Sequence, residues 1–146
     1  MENKQIWLYL DDVRTPKDET WIVVRSYEEF VNAVNMYGLD FIERISFDHD
    51  LGDGAMKEYW NNVKPNYKLD YDNITEKTGY DCVKWLVNHS IDNMIPIPIT
   101  YVHSANPIGA ANMMGYLNNY YKNYSQKKSC QMYVWPHTYI SIVEDK

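Results

Sequence analysis

Short apolar runs alternate along this chain with longer stretches in which hydrophobic residues recur every three to four positions. Ile6–Leu10 is the first run and predicts a buried strand. Trp21–Val24, β-branched and aromatic, predicts a second. Ser26 then stands as a helix N-cap, and Glu29, three residues on, completes a capping box. Tyr27, Phe30, Val31 and Val34 fall on one face of that helix, which Gly38 ends. Ile42–Phe47 predicts the third strand. Thr78 caps the next helix, whose shared face carries Cys82, Trp85, Leu86 and His89; His89 sits near the C-terminal end, where a cation suits the dipole. The run Ile97–Val102 holds a fourth strand at Ile99–Val102. Asn106-Pro107 opens the last helix, with Ala110, Met113, Met114, Leu117 and Tyr121 as its buried face. Gln131–Trp135 predicts strand five, ended by Pro136, and Tyr139–Val143 is one more short apolar run.

The order β-β-α-β-α-β-α-β predicts an α/β domain over residues 1–146, with a mostly parallel five-stranded sheet and right-handed crossovers. One connection does not fit. Roughly ten residues separate the first two strands, and a parallel crossover needs a dozen or more. Either the second strand is antiparallel or an irregular loop makes the crossing. Residues 52–77 form a long polar stretch that holds Tyr59, Trp60, Tyr67 and Tyr71. It is read as a lid over a site or as a surface excursion with a short helix of its own.

Composition narrows the function. The 146 residues are 45% hydrophobic, enough for one packed core. The net charge of −6 argues against non-specific nucleic-acid binding, which needs a basic surface. Cys82 and Cys130 lack metal-type spacing and are expected as reduced, buried thiols. No apolar stretch is long enough to span a bilayer and the N-terminus has no signal-peptide pattern, so a cytoplasmic location is expected and no membrane partner.

Three predicted strands each run into reactive side chains: Asp11-Asp12, Asp48-His49-Asp50 and His103-Ser104. In an open parallel sheet the carboxyl ends of the strands share one crevice, where ligands bind. Neighbouring carboxylates at buried strand ends repel, and a hard divalent cation relieves this. Asp11, Asp12 and Asp48 are therefore the candidate ligands for Mg²⁺ or Mn²⁺; the blander reading of Asp11-Asp12 is a solvated acidic turn. His49 and His103 are the candidate acid and base, in an order the sequence leaves open, and Asp48 is grouped with them. Ser104 is read as a phosphate-binding hydroxyl, because nothing places a base and an orienting group beside it. Asn106 brings helix N-terminal N–H donors to the same end. Arg14 either holds phosphate bidentately or pins its loop through a salt bridge. Asp50 is placed on the ligand side of the site. A small phosphorylated or nucleotide ligand is the partner these residues suit.

These residues also resemble known patterns. The acidic pair, the later Asp48 and Ser104 are similar to the response-regulator receiver domain. However, Trp135-Pro136 stands where receivers carry Lys-Pro, and the loop Val13–Thr20 replaces their first helix. The closer resemblance is to the cyclic-phosphate-processing receiver-like family. Leu10-Asp11-Asp12-Val13-Arg14-Thr15-Pro16, Ser46-Phe47-Asp48-His49-Asp50-Leu51-Gly52, Thr78-Gly79-Tyr80-Asp81 with Trp85, and His103-Ser104-Ala105-Asn106-Pro107 with Gly109 carry it. The resemblance implies a receiver-like (flavodoxin-like) three-layer sandwich without the first receiver helix. It further implies processing of cyclic phosphates or nucleotide-derived phosphoesters, often in bacterial and phage conflict systems. The expectation is a metal-assisted phosphoesterase. The alternative is a non-catalytic module that binds a nucleotide signal or a protein partner. A phospho-accepting switch at Asp48 is the third reading, and the missing lysine argues against it.

Overall fold

The structure is a computed structural model that describes residues 6–124, 130–132 and 139–142. Its centre is a five-stranded sheet. In chain order the strands are β1 (Ile6–Leu10), β2 (Arg14–Pro16), β3 (Trp21–Val24), β4 (Ile42–Phe47), β5 (Ile99–Val102), β6 (Cys130–Met132) and β7 (Tyr139–Ile142). The sheet runs β3-β1-β4-β5-β6, and every pairing in it is parallel. The short connection between β1 and β3 is thus an irregular crossing. Within it lies β2, paired antiparallel with β7 in a separate two-stranded ribbon. Neither β2 nor its pairing was anticipated. Of the predicted fifth strand, Cys130–Met132 is seen; Trp135 and Pro136 lie outside the described residues.

The helices are α1 (Tyr27–Tyr37), α2 (Asp53–Glu58), α3 (Lys64–Asn66), α4 (Gly79–Asn93) and α5 (Pro107–Tyr124), with a π-helical turn over Tyr59–Val63 between α2 and α3. The steps β3→β4, β4→β5 and β5→β6 all move the same way across the sheet. Right-handed crossovers therefore put α1, α4 and α5 on one face. The core agrees: Leu8, Leu10, Ile45, Phe47 and Val102 pack with Phe30, Val34, Val83, Leu86, Met113 and Leu117. Full burial of each such side chain contributes about 1.5–3 kcal/mol. The β1→β3 step moves the other way, so its helix, had there been one, would cover the opposite face. That face instead carries Tyr9 and Trp21 with Trp7, Val23 and Tyr101, all from strands.

The caps explain where the helices begin. The Ser26 hydroxyl accepts from Glu29 N at 3.1 Å, while the Glu29 carboxylate reaches past the cap to Arg25 N. Thr78 and Asp81 form a complete capping box at α4. Asn106 Oδ1 accepts from Gly109 N at 3.0 Å at the head of α5. His89 stacks on Trp85, with ring centroids 4.7 Å apart, and both cysteines are buried and unpaired. No helix among the described residues is long and apolar enough to cross a membrane.

Candidate functional site: an acidic crevice at the carboxyl ends of the strands

The chain leaves β1 for β3 on one side and then returns to β4 on the other. The sheet therefore has its switch point between β1 and β4, where a crevice opens outside the strand ends. The backbone ladder continues one residue past the strands there: Asp11 N donates to Val24 O, Asp48 N to Leu10 O and His103 N to Phe47 O, at 2.9–3.0 Å. These bonds hold Asp11, Asp48 and His103 level across three adjacent strands. Strand alternation carries all three toward the Tyr9 face. The ring of His103 accordingly stacks on Tyr9 at 4.2 Å, and its Nδ1 meets Ser46 Oγ at 2.6 Å.

Asp11 is fully buried and heavily bonded. Its Oδ1 accepts from the backbone N–H groups of Val13 and Arg14, at 2.9 and 2.7 Å. Its Oδ2 accepts from Arg14 Nε at 2.9 Å and meets His103 Nε2 at 3.2 Å. Burial alone would raise its pKa. The His103 hydrogen bond and the charges of His103 and Arg14 outweigh that and hold the carboxyl below its usual range. Burial pushes the His103 imidazole below its ordinary value, with Asp11 only partly restoring it. Asp48 differs. It accepts from His49 N at 2.8 Å and lies 3.5 Å from the Arg14 guanidinium. Its pKa is nevertheless raised well above the normal carboxylate value, first by burial and then by the charge of Asp11, with Arg14 opposing. Asp12 completes the group: one oxygen from each of Asp11, Asp12 and Asp48 lies within 4.8 Å of the others. These carboxylates are an all-oxygen donor set of like charge gathered at one point, and that fits a hard divalent cation.

Asp12 and Asp48 border a cavity of about 190 Å³, with Asp11 buried behind them. Asp12, Arg14, Asp48, Asp50, Ser104 and Asn106 supply its polar wall; Val13, Ala105, Met56 and Tyr59 supply the rest. Arg14 pins its loop through Asp11, the second of its two expected roles, and it also lines the cavity. Arg25 fixes the same loop from behind, with its guanidinium donating to the carbonyls of Asp11 and Arg14. Ser104 Oγ accepts from Asn106 N at 3.0 Å, and Asn106 Nδ2 donates to Asp50 Oδ1 at 3.2 Å.

Neither histidine meets the cavity; both have zero exposure. His49 lies on the helical side of the sheet. Its Nδ1 sits 2.6 Å from Asp50 Oδ1 and its Nε2 2.9 Å from the Tyr71 hydroxyl, which also accepts from Asn112 Nδ2 at 3.1 Å. Two glycines make this packing possible. A Cβ at Gly109 would lie 2.3 Å from the His49 ring, and one at Gly79 would lie 1.8 Å from the Asp48 carbonyl oxygen. Met56 and Tyr59, both in the 52–77 stretch, were not singled out as site residues. Their spacing shows no periodicity toward the crevice, and only the fold brings them there.

Compared with models of protein families, the chain matches the cyclic-phosphate processing receiver domain over residues 6–119. The chain belongs to that family. Comparison with curated proteins and with solved structures gives no match. The match spans the sheet from β1 through β5 and most of α5, and so includes every residue of the crevice. This receiver domain departs from the usual receiver plan in its first crossover, where β2 stands in place of a helix.

Proposed function

We propose that this receiver domain is a metal-assisted phosphoesterase acting on a cyclic phosphate. One observation carries the reading: of three converging carboxylates, two share a cavity edge with a guanidinium, a hydroxyl and an amide, in a chain of the cyclic-phosphate processing family. Asp11, Asp12 and Asp48 would hold Mg²⁺ or Mn²⁺, which when bound supplies Lewis acidity to the phosphoryl oxygens. Arg14 and Ser104 Oγ bind the non-bridging oxygens, and Asn106 holds Asp50 in place beside them. In hydrolysis, water oxygen bonds to phosphorus, one ring P–O bond breaks, and the alkoxide that leaves takes up a proton to give a phosphomonoester with a free hydroxyl. Asp50 is the group of the His49–Asp50 pair that faces the cavity, so it takes the proton from the attacking water, with His49 sharing it from behind. His103 acts through Asp11, keeping that carboxylate anionic and aimed. In this reading both histidines work at one remove from the ligand.

The test is incubation of purified protein with Mg²⁺ or Mn²⁺ and a panel of nucleoside and glycerol cyclic phosphates, followed by ³¹P NMR. A phosphomonoester that forms with the wild type and not with Asp50→Asn supports the proposal; an unchanged, unbound panel contradicts it. The full burial of both imidazoles favours a second reading, capture of the same ligand without turnover. Calorimetric binding with the cyclic phosphate recovered intact would select it.

A further inference from the structure

The polar wall of the cavity accounts for a phosphoryl group and a cation, but not for the opposite wall. There Met56 and Tyr59 from the 52–77 stretch face Val13 and Ala105. Met56 and Ala105 are exposed and Tyr59 is half-buried, so an apolar, aromatic rim stands open beside an acidic floor. Tyr59 begins the π-helical turn Tyr59–Val63, an insertion that is rare in helices and concentrates at functional sites. The Tyr59 ring is braced from outside by Trp60, edge-on at 5.3 Å and 80°, and Lys64 covers the Trp60 ring at 4.6 Å.

An inorganic ion, or a phosphoester of a small polyol, would leave this rim in water. We infer that Tyr59, with Met56, is the specificity-determining element of the site and takes the nucleobase of a nucleoside cyclic phosphate, whose phosphoryl group lies at Arg14 and Ser104. The inference rests on the proposed phosphoester function and names its ligand class. A base presents a flat π face to Tyr59, and a thioether packs well at a ring edge. The cavity, about 190 Å³, is smaller than a pocket that encloses a whole drug-sized ligand, so the base lies against the rim with its outer face in solvent.

The test compares calorimetric binding of adenosine 2′,3′-cyclic phosphate and glycerol 1,2-cyclic phosphate, both with Mg²⁺, to the wild type, Tyr59→Ala and Tyr59→Phe. The wild type should bind the adenosine compound more tightly by roughly 5- to 150-fold, the range stacking on an aromatic side chain supplies per base. Tyr59→Ala should erase that preference while leaving glycerol cyclic phosphate unaffected, and Tyr59→Phe should keep it. Equal binding of both probes to the wild type, or equal weakening of both by Tyr59→Ala, overturns this inference and spares the phosphoester function. Failure of both probes to bind the wild type overturns the two together.

Discussion

The two walls of the crevice come from different parts of the chain and are held in different ways. The acidic wall belongs to the sheet: Asp11, Asp48 and His103 each continue a backbone ladder between parallel strands. Their side chains are fixed by buried partners, from Arg14 to Ser46. The opposite wall belongs to the 52–77 excursion, which is tied together within itself by one buried carboxylate. Glu58 accepts from Asn62 and Asn73 and from the backbone N–H of Asp70, all at 2.9 Å. The contrast suggests a division of labour. Groups that must hold charge at fixed separations sit where the backbone leaves them no freedom. Groups that select a ligand sit on a segment that can change without disturbing the sheet.

Substitutions on the acidic wall should break this contrast most severely. Asp11→Ala leaves the Arg14 guanidinium buried without its carboxylate and strips two backbone N–H groups of their acceptor. It should lower stability by about 3–5 kcal/mol, a large part of the 5–15 kcal/mol typical of a domain, as measured by urea unfolding. A loss below about 1 kcal/mol would mean the cluster is solvated and not integral to the fold.

Asp48→Asn should have the opposite sign. Because burial and Asp11 raise the Asp48 pKa, the folded protein binds this proton more tightly than the unfolded chain does. Its stabilising effect is therefore complete below the unfolded value, about 4, and is lost as pH climbs through the raised folded value. Replacing the carboxylate by an amide removes that penalty. The melting temperature of Asp48→Asn without metal should equal or exceed that of the wild type, and the gap should widen between pH 5 and pH 8.

A smaller effect lies at the junction of the two walls. Tyr71→Phe removes the hydroxyl that joins His49 to Asn112. Two hydrogen bonds are at stake, so the loss should be about 1–3 kcal/mol, a melting shift of several degrees for a domain near this size. The response to Mg²⁺ should not change. A Tyr71→Phe variant that no longer responds to the metal would show that the excursion holds the acidic wall as well.

The sequence reveals one wall far better than the other. β1, β4 and β5 are plain apolar runs, and the reactive residues follow them immediately, so the acidic wall is visible as soon as a parallel sheet is assumed. Ser26, Thr78 and Asn106 mark the helix starts because capping is local chemistry. β2 could not be seen: it is three residues long, contains Pro16, and exists through pairing with a segment more than a hundred residues away. The burial of His49 was equally hidden. It depends on Gly79 and Gly109 letting α4 and α5 approach within contact, and a glycine in the sequence does not say what comes close to it. Met56, on α2, and Tyr59, at the start of the π-helical turn, reach the cavity in a way that no hydrophobic period announces.

The central claim is that Asp11, Asp12 and Asp48 together hold a divalent cation at the β1–β4 switch point. The most direct measurement is titration of Mg²⁺ and Mn²⁺ into the wild type and Asp48→Asn, followed by calorimetry and thermal unfolding at pH 5 and pH 8. Metal ligands must be deprotonated, and Asp48 resists deprotonation, so binding should release a proton and be stronger at pH 8. The account predicts saturable, pH-dependent stabilisation of the wild type that Asp48→Asn abolishes. An equal response from both proteins, or none from the wild type at pH 8, would contradict it.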